Sequence, residues 1–223
     1  MNDLFYNFAR AILTPIINFI FNVRYVGQEN LREDGGYILC SNHRSLWDPM
    51  LVAFGIKNRK LNFMAKKELF KFKPFAAIIR SLGAFPVSRG SGDVGAIKNA
   101  VEVVNNGNIL LIFPEGTRSK TGNPLRAKAG AVYIANETKA DIIPVAICFD
   151  DKKLRIGSKV TVCYGEKIHY EEIRVSEDNK SADARSGAQC VMQKIIDLMN
   201  RILKVPVNPA KPLNSEKDEE KDA

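Results

Sequence analysis

Short apolar runs alternate along the chain with segments whose apolar residues recur every three or four positions. Runs of apolar residues with strand length occupy 37–40, 61–65, 109–113 and 142–149, and two less apolar strands are predicted within 84–89 and 159–164. Helical spacing follows most of them, over 75–82, 93–104, 127–138 and 191–202. Strands that alternate with helices in this way favour a parallel sheet. The pattern therefore predicts one α/β domain, 24–203, with a largely parallel central sheet covered by helices.

Capping residues indicate where several of these helices begin and end. Asp48 and Pro49 have the residue types preferred at the N-cap and the first helical position of a helix that continues to Phe54. Gly83 and Gly107 are placed to end two others. The helix that starts near Asp93 is expected to turn four apolar side chains inward, namely Ile97, Ala100, Val101 and Val104.

The first segment, 1–23, has a narrow polar stripe and a broad apolar face, and Pro15 is expected to kink it. Its apolar run is interrupted too often for a membrane span, which needs about 20 apolar residues. We therefore interpret it as a helical segment that lies in a membrane interface. The alternative is a helix packed on the protein's own core. At the other end, 204–223 is rich in charge and proline and is predicted to be a disordered tail.

Charge is distributed unevenly along the chain. The formal net charge is +8, and because 204–223 carries 4 Lys against 5 Asp or Glu, the remainder is +9. Nine Lys or Arg but only one acid, Glu68, fall within 57–89. Such a stretch suits an anionic membrane surface or a phosphorylated substrate, unless it is only a solvated basic face. The known nucleic-acid-binding motifs are missing, so we expect no nucleic-acid partner.

The four cysteines show no C-x-x-C spacing and lie mostly in apolar runs. They are typical of reduced, buried thiols, and no metal site is predicted from them. His169, one of the two histidines, lies in a charged stretch and is expected on the surface.

His43 and Asp48 bracket a polar turn between a predicted strand and a predicted helix. In a turn, unlike a rigid helix, side chains five residues apart can meet, so the imidazole can serve as a base and the carboxylate can orient it. Two simpler interpretations remain open at this point. Asp48 could be only a helix cap, and His43 only a hydrogen-bonded loop histidine.

Two further polar turns follow predicted strands directly. Arg89 lies just beyond the end of the short strand that starts at Ala84, and Glu115 to Arg118 come after the strand at 109–113. Ligands of parallel sheets bind outside the carboxyl ends of the strands. We therefore expect these turns and the His43 turn to meet at one edge of the sheet.

Four blocks of residues resemble the glycerolipid acyltransferase superfamily, in particular its bacterial 1-acylglycerol-3-phosphate acyltransferases. The blocks are NHRSLWDP at 42–49, GAFPVSR at 83–89, FPEGTRS at 113–119 and IIPVAI at 142–147. They occur in the order found in that family, and the resemblance covers residues 26–165. H-x-x-x-x-D alone is a weak signal, but together with F-P-E-G-T-R-S downstream it is highly specific.

The resemblance implies transfer of a fatty acyl group from a thioester, on coenzyme A or acyl carrier protein, to the sn-2 hydroxyl of lysophosphatidate. It implies no cofactor beyond that thioester co-substrate. His43 would remove the hydroxyl proton and Asp48 would fix the imidazole tautomer. A covalent route through Ser45 or Cys40 remains to be tested.

The resemblance also implies an acceptor site for phosphate and glycerol. Arg89 and Arg118 would bind the phosphate, with Lys66 as a further cation. Gly116, beside Thr117, would let the backbone approach the ligand closely. Glu115 would hold an arginine or the glycerol hydroxyl, and Pro144 would shape the acyl site.

Two alternatives to this function stay open. One is an acyltransferase for another lysophospholipid or for glycerol-3-phosphate, and the other is a lipid-binding protein without catalysis. The expected location is the cytoplasmic face of the cell membrane, with the protein peripheral or monotopic. Acyl-chain length, donor type and oligomeric state are not specified by the sequence.

Overall fold

A computed structural model of the chain describes residues 3–57, 59–88, 93–149, 154–204 and 206–207. The helices are α1 Asp3–Phe21, α2 Asp48–Gly55, α3 Lys73–Ser81, α4 Val94–Asn105, α5 Gly130–Thr138 and α6 Lys180–Leu203. The strands are β1 Val23–Val26, β2 Tyr37–Ser41, β3 Leu61–Lys66, β4 Ala84–Val87, β5 Ile109–Ile112, β6 Ile142–Phe149 and β7 Val160–Tyr164. Most of the predicted tail lies outside the described residues.

The strands form one seven-stranded sheet in the order β1-β7-β6-β2-β5-β3-β4. Every neighbouring pair is parallel except β6 with β7, which is antiparallel. All eight residues of β6 are buried, as expected for a strand covered on both faces. The predicted α/β fold with a largely parallel sheet is thus confirmed.

Local departures from the predicted pattern concern helix ends and one inward-facing residue. Helix α5 begins at Gly130, three residues later than predicted, because 113–129 forms a long turn beyond β5. In α4, Ala96, Ala100 and Val104 are the buried residues, whereas Ile97 is 37% exposed. Asp93 caps this helix by accepting the Ala96 N–H, as the sequence predicts.

Two apolar clusters, one on each face of the sheet, hold the helices in place. Side chains from α4, α5 and α6 pack into one cluster, and side chains from α1 and α2 pack into the other. Helix α1 is continuous through Pro15. It buries Ile17 and Phe21 against the sheet, so the alternative of a helix packed on the protein's own core holds for this side.

The opposite side of α1 remains apolar and faces outward. Ile12 and Ile16 are each 46% exposed and Phe19 is 91% exposed. Among the described residues, no helix combines the length and apolarity needed to cross a bilayer. Helix α1 thus has two apolar sides, and the sheet covers only one of them.

Candidate active site

The turns after β2 and β5 are held together at the carboxyl edge of the sheet, the edge at which β2, β3, β4 and β5 end. Cys40 pairs with Ile112 in the parallel register, so the chain leaves both strands at the same level. The His43 backbone N–H donates to Glu115 Oε1 at 2.7 Å, and the Ser119 N–H donates to the His43 carbonyl at 2.8 Å. The predicted meeting of these two turns is therefore observed.

His43 and Asp48 form a hydrogen-bonded pair. His43 Nδ1 lies 2.8 Å from Asp48 Oδ2; the imidazole is 12% exposed and the carboxylate is fully buried. Since an ionised carboxylate can only accept, Nδ1 carries the proton in this contact and Nε2 is left to accept one. The small exposed fraction allows a substrate to reach the ring while most of the surrounding water is excluded.

Asp48 does not act as a helix cap, so that simpler interpretation is wrong. It is the first residue of α2, with Trp47 at the N-cap position and no side-chain cap bond. Its Oδ2 turns back to accept the backbone N–H groups of Arg44 and Ser45 at 2.6 and 2.7 Å. Oδ1 is buried without a hydrogen-bond partner among the described residues. The carboxylate therefore organises the turn that carries the histidine.

Two contacts that sequence reasoning missed fix the position of His43. The Asn42 side chain donates to the Ile147 carbonyl at 3.0 Å and accepts the Ile147 N–H at 2.8 Å, which ties the turn to β6. The His43 ring stacks on Phe113 with 4.0 Å between ring centroids. The positions of Asn42, directly before the histidine, and of Phe113, at the start of the second turn, were the available signals in the sequence. The contacts themselves could not be predicted, because they depend on the order of the strands.

Of the two roles expected of Glu115, contact with the glycerol hydroxyl does not fit its burial, whereas its charge does act on an arginine, Arg44. Instead of facing a ligand, its carboxylate is 3% exposed and each oxygen accepts a backbone N–H, from His43 at 2.7 Å and from Leu125 at 2.8 Å. Burial raises the pKa of Glu115 to about 7, against the opposing effect of these two hydrogen bonds. The reason for the difference is the long turn 113–129, which folds back so that Leu125 reaches the carboxylate.

We expect Glu115→Gln to reduce kcat/KM by about tenfold, since one buried amide N–H would lose its acceptor at a cost of about 1–3 kcal/mol. Below about pH 7 the native carboxyl is protonated, and its hydroxyl oxygen becomes a weaker acceptor for one of the two N–H groups. Activity that depends on the two hydrogen bonds to Glu115 is therefore present above that pH and lost below it. The acid limb of the kcat/KM profile should consequently be less steep in the variant. An unchanged acid limb would contradict the idea that ionised Glu115 is needed to hold the two turns together.

The expected phosphate-binding residues are only partly brought together. Gly116 and Arg118 are exposed in the turn after β5, with Thr117 between them. Gly116 has φ 73°, a left-handed conformation that glycine tolerates. Lys66 ends β3 at the same edge and lies 4.0 Å from Glu68. Arg89 lies outside the described residues.

Lys128 is a further cation at this turn that sequence reasoning missed. A Cβ built on Gly116 would lie 3.2 Å from Lys128 Nζ, so the amine sits against the glycine backbone. The Lys128 N–H also donates to the Pro114 carbonyl at 2.8 Å. Eleven intervening residues, 117–127, hide this proximity in the sequence.

The structure also bears on the covalent route. Cys40 is fully buried, and burial raises the pKa of its thiol, so the reactive thiolate is disfavoured at neutral pH. Ser45 Oγ accepts the Trp47 N–H at 3.2 Å. Pro144 lies within β6, where it pairs with Cys40 in the sheet.

His169 is on the surface, as predicted, with its side chain 52% exposed. Its Nδ1 lies 3.5 Å from Asp141, and with Glu171 these residues form a group of potential metal ligands near the start of β6. The Asp141 carboxylate also lies 3.8 Å from both Arg32 and Lys167. It is thus already surrounded by cationic side chains.

Comparison with known proteins identifies the family. The model of the family described as Acyltransferase matches residues 22–148, which include both turns of the candidate site. The 1-acyl-sn-glycerol-3-phosphate acyltransferase of Bacillus subtilis (strain 168) is 31% identical over 199 residues, which cover 88% of this chain and 98% of that protein. The enzyme of the same description from Streptococcus pneumoniae is 31% identical over 197 residues, covering 86% of this chain and 73% of the relative.

A solved structure shows the same fold. The crystal structure of the 1-acyl-sn-glycerophosphate acyltransferase PlsC from Thermotoga maritima matches with a TM-score of 0.64 and 26% identity. The match covers 85% of this chain and 74% of that one. The fold, the residues at the carboxyl edge and the similarity over most of the chain agree: this chain belongs to the acyltransferase family.

Proposed function

We propose that the chain transfers a fatty acyl group from a thioester, of coenzyme A or acyl carrier protein, to the sn-2 hydroxyl of 1-acylglycerol-3-phosphate, giving phosphatidate. The observation that carries this proposal is the 2.8 Å contact between His43 and Asp48 beside the exposed turn that holds Arg118. The relatives named above are acyltransferases for this acceptor, which supports the same choice here. The product belongs to phospholipid biosynthesis.

In the proposed mechanism His43 is the general base and the acceptor hydroxyl is the nucleophile. Nε2 takes the hydroxyl proton as the oxygen attacks the thioester carbonyl, and the resulting imidazolium is stabilised by the Asp48 carboxylate. The same proton then passes to the departing thiolate. Cys40, buried as the neutral thiol, is a poor nucleophile for an acyl-enzyme, and we assign the attack to the acceptor hydroxyl.

The acceptor's phosphate is assigned to the cations of the turn after β5. Arg118 offers a planar pair of donors for a phosphate, and Lys128 adds a second charge against the backbone of Gly116. Lys66 extends this positive region at the end of β3, and Arg89 is proposed as a further contact. The hydrogen bond between Ser119 N–H and the His43 carbonyl keeps this turn next to the base.

Arg118→Ala should weaken the apparent affinity for lysophosphatidate by about one to two orders of magnitude. A charge-assisted hydrogen bond contributes about 1.5–3 kcal/mol, and each 1.4 kcal/mol is a tenfold change. KM for the acyl thioester should change much less. Arg24→Ala, which removes an exposed arginine from edge strand β1, is the matched control. If the thioester alone weakened, the phosphate assignment would be wrong.

Acceptor choice is tested with a panel at fixed thioester concentration. Lysophosphatidate should give the largest kcat/KM, followed by glycerol-3-phosphate, which keeps the phosphate but lacks the acyl chain. A lysophospholipid with a choline headgroup has no terminal phosphate for Arg118 and should react least. A preference for that headgroup would instead support the alternative acyltransferase. Binding without turnover of any acceptor would support the non-catalytic lipid-binding protein.

We further propose that the outward side of α1 docks the protein on the cytoplasmic face of the membrane, where acyl chains of the substrate are presented. Ile12, Ile16 and Phe19 form this side, and burying apolar area contributes roughly 25 cal/mol per Å². The basic residues of 57–80 add attraction to anionic lipid. Two weak signals of this kind combine into stable attachment.

Ile16→Ser with Phe19→Ser should lower binding to anionic vesicles by about one to two orders of magnitude, because most of the outward apolar side is lost. Point changes are preferable to deletion of α1, since Ile17 and Phe21 belong to the core. Val94→Ser, an exposed position on α4, is the matched control. The measurement is vesicle sedimentation, and unchanged binding of the double variant would refute docking through α1.

A further inference from the structure

A second exposed apolar ridge lies on the segment between β3 and β4. Its members occur at every third position from the short 3-10 helix Lys67–Phe70 through α3. They are Leu69, 39% exposed, Phe72, 68%, Phe75, 42%, and Ile78, 52%. Scattered apolar residues are normal on a surface, but here four exposed ones follow each other along one short segment as an apolar strip. We call this strip the α3 ridge.

Positive charge surrounds the α3 ridge. Lys67, Lys71 and Lys73 are exposed within the same segment, and the Arg80 guanidinium lies 4.8 Å from the Phe70 ring centroid. Glu68 is the acid within this segment, and it lies 4.0 Å from Lys66 Nζ. Apolar side chains flanked by Lys and Arg are the composition of helices that lie in the interface of anionic membranes.

The strand order places the α3 ridge on the same face of the sheet as α1. From β2 the chain passes through α2 to β3, and from β3 it passes through α3 to β4, moving in one direction across the sheet. Right-handed parallel crossovers that move in the same direction lie on the same face. Helix α4 returns to β5 in the opposite direction and packs on the other face. Helices α1, α2 and α3 therefore share one face.

The turn before α2 adds exposed apolar residues next to α1. Leu46 is 66% exposed and Trp47 is 41% exposed, and the Trp47 ring contacts Phe21 of α1 edge-on at 5.5 Å between centroids. Outward apolar residues thus occur on α1, at the turn bearing His43 and on α3. A lipid surface can contact all three together, whereas a small protein partner would cover one of them.

We propose that the α3 ridge is a second membrane-contact element, which inserts between the headgroups of an anionic bilayer while its lysines bind lipid phosphates. With α1 it would hold the carboxyl edge of the sheet at the lipid surface from both sides of the His43 turn. The inference rests on the proposed docking of a lipid-acting enzyme. It goes further because it names the α3 ridge as a lipid contact and predicts that α1 alone provides only part of the affinity for anionic membranes.

Fluorescence provides a direct test, because Trp47 is the chain's single tryptophan. In a Trp47→Phe background, Phe72→Trp places the fluorophore on the ridge. Vesicles of phosphatidylglycerol and phosphatidylcholine with brominated acyl chains should quench its emission. Tyr133→Trp, at an exposed position of α5 on the other face, is the matched control and should not be quenched. Equal emission with brominated and ordinary vesicles from the ridge position would overturn the proposal.

A second pair of measurements separates this inference from the proposed function. Phe72→Ser with Phe75→Ser should lower binding to anionic vesicles about tenfold or more, while turnover of a soluble short-chain lysophosphatidate is retained. Tyr133→Ser is the control. If the double variant instead lost activity only with an acyl-carrier-protein donor, the ridge would be a carrier-docking surface and the membrane proposal would fail. Normal vesicle binding by a wild-type protein without transferase activity would refute the proposed function alone.

Discussion

Replacing His43 by alanine is expected to reduce acyl transfer by about three orders of magnitude or more, since general-base catalysis contributes typically 10²- to 10⁴-fold. The remaining turnover would come from binding the two substrates side by side. The fold should survive, because Asp48 loses its hydrogen bond from the ring but keeps those from the Arg44 and Ser45 amides. The measurement is kcat for thiol release, together with the thermal midpoint.

The chain provides its own matched control for this experiment. His169→Ala removes the other histidine, which is exposed near the start of β6 and contacts Asp141. It should leave kcat within a factor of about two, because a surface substitution away from the core and from the active site changes the free energy of unfolding by about 0.5 kcal/mol or less. Wild-type turnover from a folded His43→Ala protein would exclude the proposed mechanism.

Asp48→Asn is expected to lower kcat by about 10²- to 10⁴-fold, the range for losing effective acid–base catalysis. The amide oxygen of asparagine can replace Oδ2 as acceptor for His43 and the two backbone N–H groups. The variant therefore loses chiefly the negative charge that stabilises the imidazolium. Its amide nitrogen would occupy the place of Oδ1, which is buried without a hydrogen-bond partner among the described residues.

Asp48→Ala separates the catalytic contribution of this residue from its structural one. It leaves the Arg44 and Ser45 amides without their acceptor, and each unsatisfied buried group costs about 1–3 kcal/mol. We expect alanine to lower the thermal midpoint clearly and asparagine to lower it much less, although both impair kcat. Equal stabilities of the two variants would show that the carboxylate does not organise the turn.

Much of the fold could be predicted because the buried strands are continuous apolar runs. The run at 142–149 matches β6 residue for residue, and the alternation with helices gave the parallel arrangement. Strand order was beyond the pattern, since nothing local indicates that β5 inserts between β2 and β3. The exposure of the α3 ridge was equally hidden. Apolar helical spacing indicates which side of a helix is apolar, but it does not show whether protein, lipid or water covers that side.

In the candidate site, too, some features could be predicted from the sequence and others could not. His43 and Asp48 were predicted as a pair because residue type and the strand-turn-helix context were both informative, and their contact is observed at 2.8 Å. Contacts made across the sheet were missed, since Asn42 reaches Ile147 and Lys128 reaches Gly116 only in the folded chain. Asp48 has residue type and position typical of an N-cap, yet its carboxylate accepts the three N–H donors of the preceding turn instead of those of the helix.

The measurement that tests the central claim most directly follows thiol release and lipid product together, with purified protein, an acyl thioester and lysophosphatidate. The proposed direct transfer predicts that thiol is released only when the acceptor is present, in one-to-one ratio with phosphatidate, and that His43→Ala lowers both rates by about three orders of magnitude or more. A burst of thiol in the absence of acceptor, with the acyl group left on the protein, would contradict it. So would phosphatidate formation by the His43→Ala protein at the wild-type rate.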